Sequence, residues 1–290
     1  MSAFAGVGRN ASCPCGSGLK FKHCHGLAGL GTSLPANTSA SAAAPAEPRQ
    51  LLLEGMELQR RGDAAQARTV YERVLALDAD HPDAWHLLAL LDASDGRAED
   101  AVAKVRRAIA TLPDHPPFHI TLARALLGAG CVAESAAAAR AALALSPENA
   151  EPFFLLGNAL SAAGDYDQAI AAFRSGLIKH PDDPVLLNNL ALALEQTGDA
   201  ADAEANYRRA LALHSTLPEG HANLANLLFA RGGYTEAAPL YEQAIALGLD
   251  RAQLWANLGI VRQRQGSLND ALRCFTRADA LQPNVANLQM

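Results

Sequence analysis

The 290-residue sequence contains no run of about 18 apolar residues, so it offers no candidate for a membrane-spanning helix. The first ten residues lack the basic start and long apolar run of a secretory signal, and we expect a cytoplasmic protein. Aromatic residues make up only 5% of the chain although hydrophobic residues make up 50%, and alanine supplies much of the difference. This composition favours helices that pack closely through small side chains.

Motifs that carry catalysis are also missing from the sequence. It has no G-x-x-x-x-G-K-[ST] loop for nucleotide phosphates, no H-E-x-x-H zinc-protease helix, and no glycine-rich turn after a strand for a dinucleotide. We therefore expect a protein that is not an enzyme.

The charge is unevenly distributed along the chain. The net charge is -6, but residues 1–47 carry three basic residues against Glu47 alone, so the excess of acid lies in the body that follows. Affinity for nucleic acid depends largely on Lys and Arg that neutralise phosphates. An acidic body with a small basic head is therefore not expected to bind nucleic acid.

Three of the five cysteines, Cys13, Cys15 and Cys24, fall close together near the N-terminus, and His25 follows directly. Clustered thiols in a reducing compartment favour metal binding over disulfides. Zinc takes four ligands in a tetrahedron and prefers thiolate sulfur and imidazole nitrogen, so these four residues supply the right number and type. Because protein ligands fill all four positions, the sequence predicts a structural metal site and not a catalytic one.

The residues alone leave alternatives open at this site. Soft thiolates suit Fe²⁺ as well as Zn²⁺, so either ion fits the donor set. A redox-active or metal-free cysteine cluster is the competing interpretation. His23 competes with His25 for the fourth ligand position.

The same segment resembles a known family. Arg9-Asn10 followed by C-P-C-G-S-G-x-K-[YF]-K-x-C-H-G resembles the SEC-C motif, which is found at the C-terminal tail of the bacterial translocase motor SecA and in many other bacterial proteins. The resemblance implies that Cys13, Cys15, Cys24 and His25 bind zinc. It also implies a docking role, with a chaperone as one possible class of partner, although Leu19 replaces the usual lysine. We assign residues 1–26 to this motif and the Ala/Ser/Pro-rich residues 27–47 to a flexible linker.

From residue 48 onward, the sequence repeats every 34 residues. A glycine marks each repeat, at Gly62, Gly96, Gly130, Gly164, Gly198, Gly232 and Gly266. With this glycine at position 15 of the repeat, the body divides into 48–81, 82–115, 116–149, 150–183, 184–217, 218–251 and 252–285, followed by a tail at 286–290.

The repeat pattern predicts a pair of helices in each unit. Leucine at positions 7 and 11 with a small residue at position 8 gives the first helix an apolar face. Glycine at position 15 ends that helix, and a second helix follows from about position 18 to 30. Neither helix can bury its apolar face alone, so neighbouring repeats must stack.

This body resembles the tetratricopeptide repeat (TPR) family. The family pattern W-x2-L-G … A-x3-F … P is most complete in the last repeat, at Trp255, Leu258, Gly259, Ala271, Phe275 and Pro283. The resemblance covers residues 48–285. It implies an all-α, right-handed TPR solenoid of seven helix-turn-helix repeats that binds protein or peptide partners on a concave face lined by the first helices.

Asparagines recur on the first helices of the later repeats. At position 6 or 9 the sequence has Asn158, Asn189, Asn223, Asn226 and Asn257, which we call the amide row. An amide can pair with a peptide unit as donor and acceptor, so the row predicts a site for an extended peptide in the C-terminal half. Similar rows occur in the repeat half of O-GlcNAc transferase. The competing interpretation is that these asparagines make local bonds within the solenoid.

Several other residues invite a functional interpretation. The cluster of His81, His86, His115 and His119 could form a pH-sensitive or second metal patch, but ordinary structural histidines are the favoured interpretation. Pro239, near the start of a second helix, predicts a local kink rather than a break. Cys131 and Cys274 are interpreted as structural.

Taken as a whole, the sequence predicts a non-enzymatic adaptor, in which the metal motif docks one partner and the TPR groove binds another. The alternative is the targeting or regulatory part of a larger glycosyltransferase, sulfotransferase or oxygenase system whose catalytic domain is absent from this chain. The last repeat has no clear polar capping helix. A missing catalytic domain or self-association through that end would each account for it.

Overall fold

A computed structural model describes residues 48–283, where fourteen α-helices follow one another without a strand. The predicted all-α fold of paired helices is therefore confirmed for these residues. The first helices of the repeats are α1 (Pro48–Arg60), α3 (Pro82–Ser94), α5 (Pro116–Gly128), α7 (Ala150–Ala162), α9 (Pro184–Thr197), α11 (Pro218–Ala230) and α13 (Ala252–Arg264). The second helices are α2 (Ala64–Leu77), α4 (Ala98–Thr111), α6 (Val132–Leu145), α8 (Tyr166–Lys179), α10 (Ala200–Leu213), α12 (Tyr234–Ala246) and α14 (Leu268–Leu281).

The turn inside each repeat depends on the glycine at position 15. All seven of these glycines have a positive φ, between 75° at Gly96 and 90° at Gly198. A Cβ at any of them would meet no atom within 4 Å, so the backbone conformation and not lack of space requires glycine. The sequence prediction of the helix end is correct for this reason.

The two helices of a repeat pack closely because position 8 is small. A Cβ at Gly157 would lie 2.3 Å from Cε1 of Phe173, whose ring is buried against the first helix. At position 20, alanine fills the opposite side of the contact. Ser135 replaces it in repeat three, where the fully buried hydroxyl donates a hydrogen bond to the carbonyl of Ala123 at 2.7 Å.

The stack curves toward its first helices. Each second helix packs on the first helix of the next repeat, and the first helices α3, α5, α7, α9, α11 and α13 also contact one another in succession. Successive second helices make far fewer contacts with one another. The first helices therefore line the inner, concave face, as the TPR resemblance implies.

A buried acidic residue interrupts the predicted apolar pattern in repeat two. Position 11 of repeat two is Asp92, which is only 1% exposed. Its carboxylate accepts hydrogen bonds from Arg68 at 2.7 Å and Arg97 at 2.6 Å, and it also pairs with Lys104. Burial alone would raise the pKa of Asp92, but the hydrogen bonds from these three cations outweigh it, so the pKa is lowered. A charged cluster thus joins repeats one and two.

Candidate peptide-binding groove

The predicted metal ligands Cys13, Cys15, Cys24 and His25 lie outside the described residues. Within residues 48–283, no group of three or more His, Cys, Asp or Glu is arranged to hold a metal ion. The suggestion of a second metal patch at the junction of repeats two and three is therefore wrong for the part of the chain that the structure describes.

A repeated structural bond accounts for His119 of the predicted cluster and for His221. At position 4 of several first helices, a ring N–H donates to a backbone carbonyl six residues earlier, in the preceding loop. The same bond joins Trp85 to Ala79 at 2.9 Å, His119 to Pro113 at 2.6 Å and His221 to Ser215 at 2.8 Å. Since a carbonyl oxygen only accepts, Nε2 carries the proton in both histidines. These rings fix the loop between repeats.

His86 lies in a different environment, on the concave side of repeat two. Its Nε2 is 2.8 Å from the hydroxyl of Thr121, and its ring packs 4.8 Å from the ring of Phe118. Burial, together with smaller contributions from the nearby charges of His115 and Arg124, lowers the pKa of His86 to about 4. The ring is therefore neutral near pH 7 and does not sense pH in that range.

Two asparagines of adjacent repeats bond directly to each other on the concave face. Asn223 Nδ2 donates to Asn188 Oδ1 at 3.2 Å, which links α11 to α9. Asn188 is only 6% exposed and occupies position 5, outside the predicted amide row. Its neighbour Asn189 uses one N–H to donate to the carbonyl of Val185 at 2.8 Å, one helical turn earlier.

A second polar network joins repeats six and seven. The hydroxyl of Tyr241 donates to Asn226 Oδ1 at 2.8 Å, and Asn257 Nδ2 donates to both Asn226 Oδ1 and the Tyr241 hydroxyl. Asn257 Oδ1 accepts from Gln253 at 2.8 Å, so the amide of Asn257 is engaged on both sides and only 7% exposed. Burial raises the pKa of Tyr241, which keeps its hydroxyl protonated.

The members of the amide row therefore differ in which hydrogen-bond donors and acceptors remain unbonded. Asn158 makes no side-chain hydrogen bond within residues 48–283, and Asn226 keeps both of its amide hydrogens unbonded there. Asn189 and Asn223 each spend one N–H and keep the oxygen. Asn257 is engaged entirely inside the solenoid. Peptide contact by any of the five stays a prediction.

A cavity of about 290 Å³ lies between the N-terminal ends of α7 and α9, in the same groove as Asn158 and Asn189. Phe154 and Val185 form part of its wall, and Val185 is 41% exposed. A larger cavity of about 680 Å³ lies between α12, α13 and α14. Its rim arginines are paired with acidic residues, as in Arg277 with Asp250, so it presents no uncompensated cationic site.

Cys274 and Pro239 agree with their structural interpretation, whereas that of the exposed Cys131 stays a prediction. Cys274 is buried on α14, and burial raises the pKa of its thiol, which makes it a poor nucleophile at neutral pH. Cys131 precedes the first residue of α6. Pro239 lies inside α12, which continues without a break from Tyr234 to Ala246.

The exposed end of the stack is apolar. Leu268 is 67% exposed and Leu272 is 65% exposed on α14. The residue equivalent to Leu272 is buried in inner repeats, as at Val102 and Ile170, because the next first helix covers it.

Among residues 48–283, none of the helices has the length and apolar character of a membrane-spanning segment.

Comparison with known proteins separates the chain into two parts. The family model of the SEC-C motif matches residues 9–27. Over 36 residues the chain is 67% identical to the protein translocase subunit SecA of Nocardioides sp., which is 12% of this chain and 4% of that protein. Over 25 residues it is 76% identical to SecA of Variovorax paradoxus, which is 9% of this chain and 3% of that protein. The chain thus matches only a few percent of the length of these relatives.

Solved structures resemble the helical body. PilF of Pseudomonas aeruginosa superimposes with a TM-score of 0.64 at 21% identity, covering 72% of this chain and 95% of PilF. A tetratricopeptide repeat protein of Parabacteroides merdae gives a TM-score of 0.66 at 15% identity, covering 84% of this chain and 96% of that chain. At these identities the likeness shows the fold alone. The tetratricopeptide repeat model matches residues 52–116, 120–184, 154–218 and 223–286, well over half of the sequence, and the chain therefore belongs to the tetratricopeptide repeat family.

Proposed function

We propose that the chain is a non-enzymatic adaptor whose concave face holds an extended segment of a partner protein. The observation that carries this proposal is the set of amides with free donors or acceptors on the first helices of repeats four to six, namely Asn158, Asn189, Asn223 and Asn226. Each amide offers a donor and an acceptor side by side, which is the pattern that a peptide unit needs.

The spacing of the repeats supports an extended peptide. Packed helices lie roughly 8–10 Å apart, and an extended chain covers that distance in about three residues. One amide per repeat would therefore meet every third residue of the peptide. Asn257 is engaged internally, so we assign it a supporting role in which it holds Asn226 and Tyr241 in place.

We further propose that Cys13, Cys15, Cys24 and His25 bind one zinc ion and form a second docking element. The match to the SEC-C model and the donor set of three thiolates and one imidazole support this assignment. The partner class that the motif suggests is another protein, such as a chaperone. We place the adaptor in the cytoplasm, where thiols stay reduced.

Peptide binding is tested with a random-sequence 12-residue peptide display library panned on the immobilised full-length chain. A peptide that is enriched is then synthesised, and its Kd is measured for the wild type and for Asn189→Ala and Asn226→Ala. Each loss of a peptide hydrogen bond should weaken binding about three- to tenfold.

The chain offers a matched control for Asn189. Asn206 on α10 donates to the carbonyl of Asp202 at 2.8 Å, which is the same local bond that Asn189 makes to Val185. Asn206 lies on a second helix, away from the concave face, so Asn206→Ala should leave the Kd unchanged. Equal effects of the Asn189 and Asn206 substitutions would reject the amide row as a binding element.

A further inference from the structure

The cavity between α7 and α9 is lined by both apolar and polar residues. Its apolar wall comes from Ala150, Phe154 and Val185, and its polar groups are Asn149, Glu151 and Asp183. Two of the polar groups are helix caps. Asn149 Oδ1 accepts from the N–H of Glu151 at 3.0 Å. Asp183 Oδ1 accepts from the N–H groups of Val185 and Leu186 at 2.9 and 3.0 Å.

These contacts decide what the cavity can hold. The N-termini of α7 and α9 both border it, but their caps already occupy N–H groups that would otherwise attract an anion. The carboxylate of Glu151 pairs with Arg124, and the carboxylate of Asp183 adds a negative charge at the rim. An anionic ligand is therefore disfavoured. The rest of the lining is apolar, and among residues 48–283 Val185 remains 41% exposed.

The cavity also lies in register with the amide row. Phe154 and Asn158 are four residues apart on α7, so they lie on the same face one turn apart. Val185 and Asn189 have the same relation on α9, where the side chain of Asn189 donates to the carbonyl of Val185. An apolar recess and two amides with unused hydrogen-bonding capacity thus follow one another along one groove.

We propose that this cavity is a specificity pocket that takes one apolar side chain, aliphatic or aromatic, from an extended peptide held by the amide row. The inference rests on the proposed function and adds selectivity for a peptide side chain, which the amides cannot supply. Amides recognise the backbone and accept many sequences, whereas the pocket selects a side chain. A volume of about 290 Å³ suits a single side chain and lies at the small end of the range for a whole small-molecule ligand.

The test begins with peptides enriched from the random-sequence library on the unchanged, full-length protein. Replacing each peptide residue in turn by alanine measures how much each side chain contributes to the Kd. We expect one apolar position at which alanine weakens binding about ten- to hundredfold, because that side chain loses its burial. This scan needs no protein variant and so does not depend on the folding of one.

The pocket itself is tested by Val185→Trp, which fills the recess from an exposed position on the first turn of α9. Its matched control is Glu219→Trp, which puts the same bulk at the same repeat position on α11, where Glu219 is exposed. In Val185→Trp, the enriched peptide and its alanine version should bind with equal Kd. In Glu219→Trp, the difference between the two peptides should persist.

Each outcome has a defined meaning. The pocket is supported if alanine weakens binding at one apolar peptide position, and if this effect is lost in Val185→Trp but kept in Glu219→Trp. Peptides that bind without such a position, or that keep their discrimination in Val185→Trp, overturn the pocket and leave the groove proposal standing. Failure of the library to yield any peptide that binds overturns both.

Discussion

Asn223 donates a hydrogen bond from Nδ2 to Asn188 Oδ1 at 3.2 Å, and this bond joins the first helices of repeats five and six. Asn188 is buried where other repeats place an aliphatic or aromatic residue, as at Ile120 and Phe154. A buried amide without its partner costs more than the bond contributes, so the two residues stabilise the structure only together.

Asn188→Ala is therefore expected to lower the free energy of unfolding by about 1–2 kcal/mol, since it leaves a cavity and an unpaired amide. Urea unfolding followed by circular dichroism measures this change. Asn206→Ala, at a half-buried site where the side chain bonds only to its own helix, should change the free energy by less than about 0.5 kcal/mol. Additive effects in the double substitution of Asn188 and Asn223 would contradict the coupling.

Gly157→Ala is expected to destabilise the protein by about 1–3 kcal/mol, because the new Cβ would lie 2.3 Å from the buried ring of Phe173. Gly128→Ala is the matched control on another first helix. A Cβ there would meet Ala98 at 3.7 Å, an ordinary contact, and alanine favours the helix by up to about 1 kcal/mol. A change of the same sign in the free energy of unfolding of both variants would show that close helix packing does not require the small residue.

Asp92→Asn is expected to destabilise repeats one and two by about 2–3 kcal/mol near pH 7, because Arg68, Arg97 and Lys104 lose their shared carboxylate. The partly exposed cations reduce the cost below that of a fully buried pair.

The effect should depend on pH with a defined sign. The pKa of Asp92 is lowered by folding, so its contribution is complete above the unfolded value near 4 and is lost as the pH falls through the folded pKa. The wild type and Asp92→Asn should converge in stability as the pH drops below about 4. A constant difference in urea midpoint across that range would contradict the assignment.

His86 should make the protein less stable in mild acid. Its pKa is about 4 in the folded protein and 6.5 in the unfolded chain, so the unfolded state takes up the proton first as the pH falls. The loss begins near pH 6.5 and reaches about 3 kcal/mol by pH 4. His86→Phe should make the urea midpoint less dependent on pH between pH 7 and pH 4. The exposed His214 is the control site, and an equal flattening by His214→Gln would contradict the role of burial.

The purified chain is expected to contain one equivalent of zinc per molecule, and Cys24→Ser should lose most of it because three ligands bind the ion far more weakly. Elemental analysis measures the metal. The helical content and unfolding midpoint should not change, because the helices of residues 48–283 bury their apolar residues against one another. One equivalent of iron would change the identity of the bound metal and keep the site. A metal-free protein would contradict the prediction of a metal site.

The repeat period predicted the fold in detail because a few backbone and packing constraints recur in every unit. Glycine at position 15 has a positive φ in all seven repeats, and the residue at position 8 must be small where the ring of position 24 packs against it, as at Gly157 and Phe173. These constraints act within one repeat, so their spacing along the chain is enough to place both helices.

Contacts between repeats were harder to predict. Asp92 occupies a position that is leucine in most repeats, and only the structure shows that Arg68 and Lys104 from neighbouring helices surround it. The sequence also missed Asn188, because a residue at position 5 gains a partner only through the packing of the next repeat. The cavity beside Val185 depends on how the N-terminal ends of two first helices pack, which the repeat period does not indicate.

The most direct test of the central claim is hydrogen exchange of the full-length chain, measured by mass spectrometry with and without a library-selected peptide. If the concave face of repeats four to six holds the peptide, slower exchange should be confined to segments of α7, α9 and α11. Slower exchange in α8, α10 and α12 alone, with the first helices unchanged, would contradict the account.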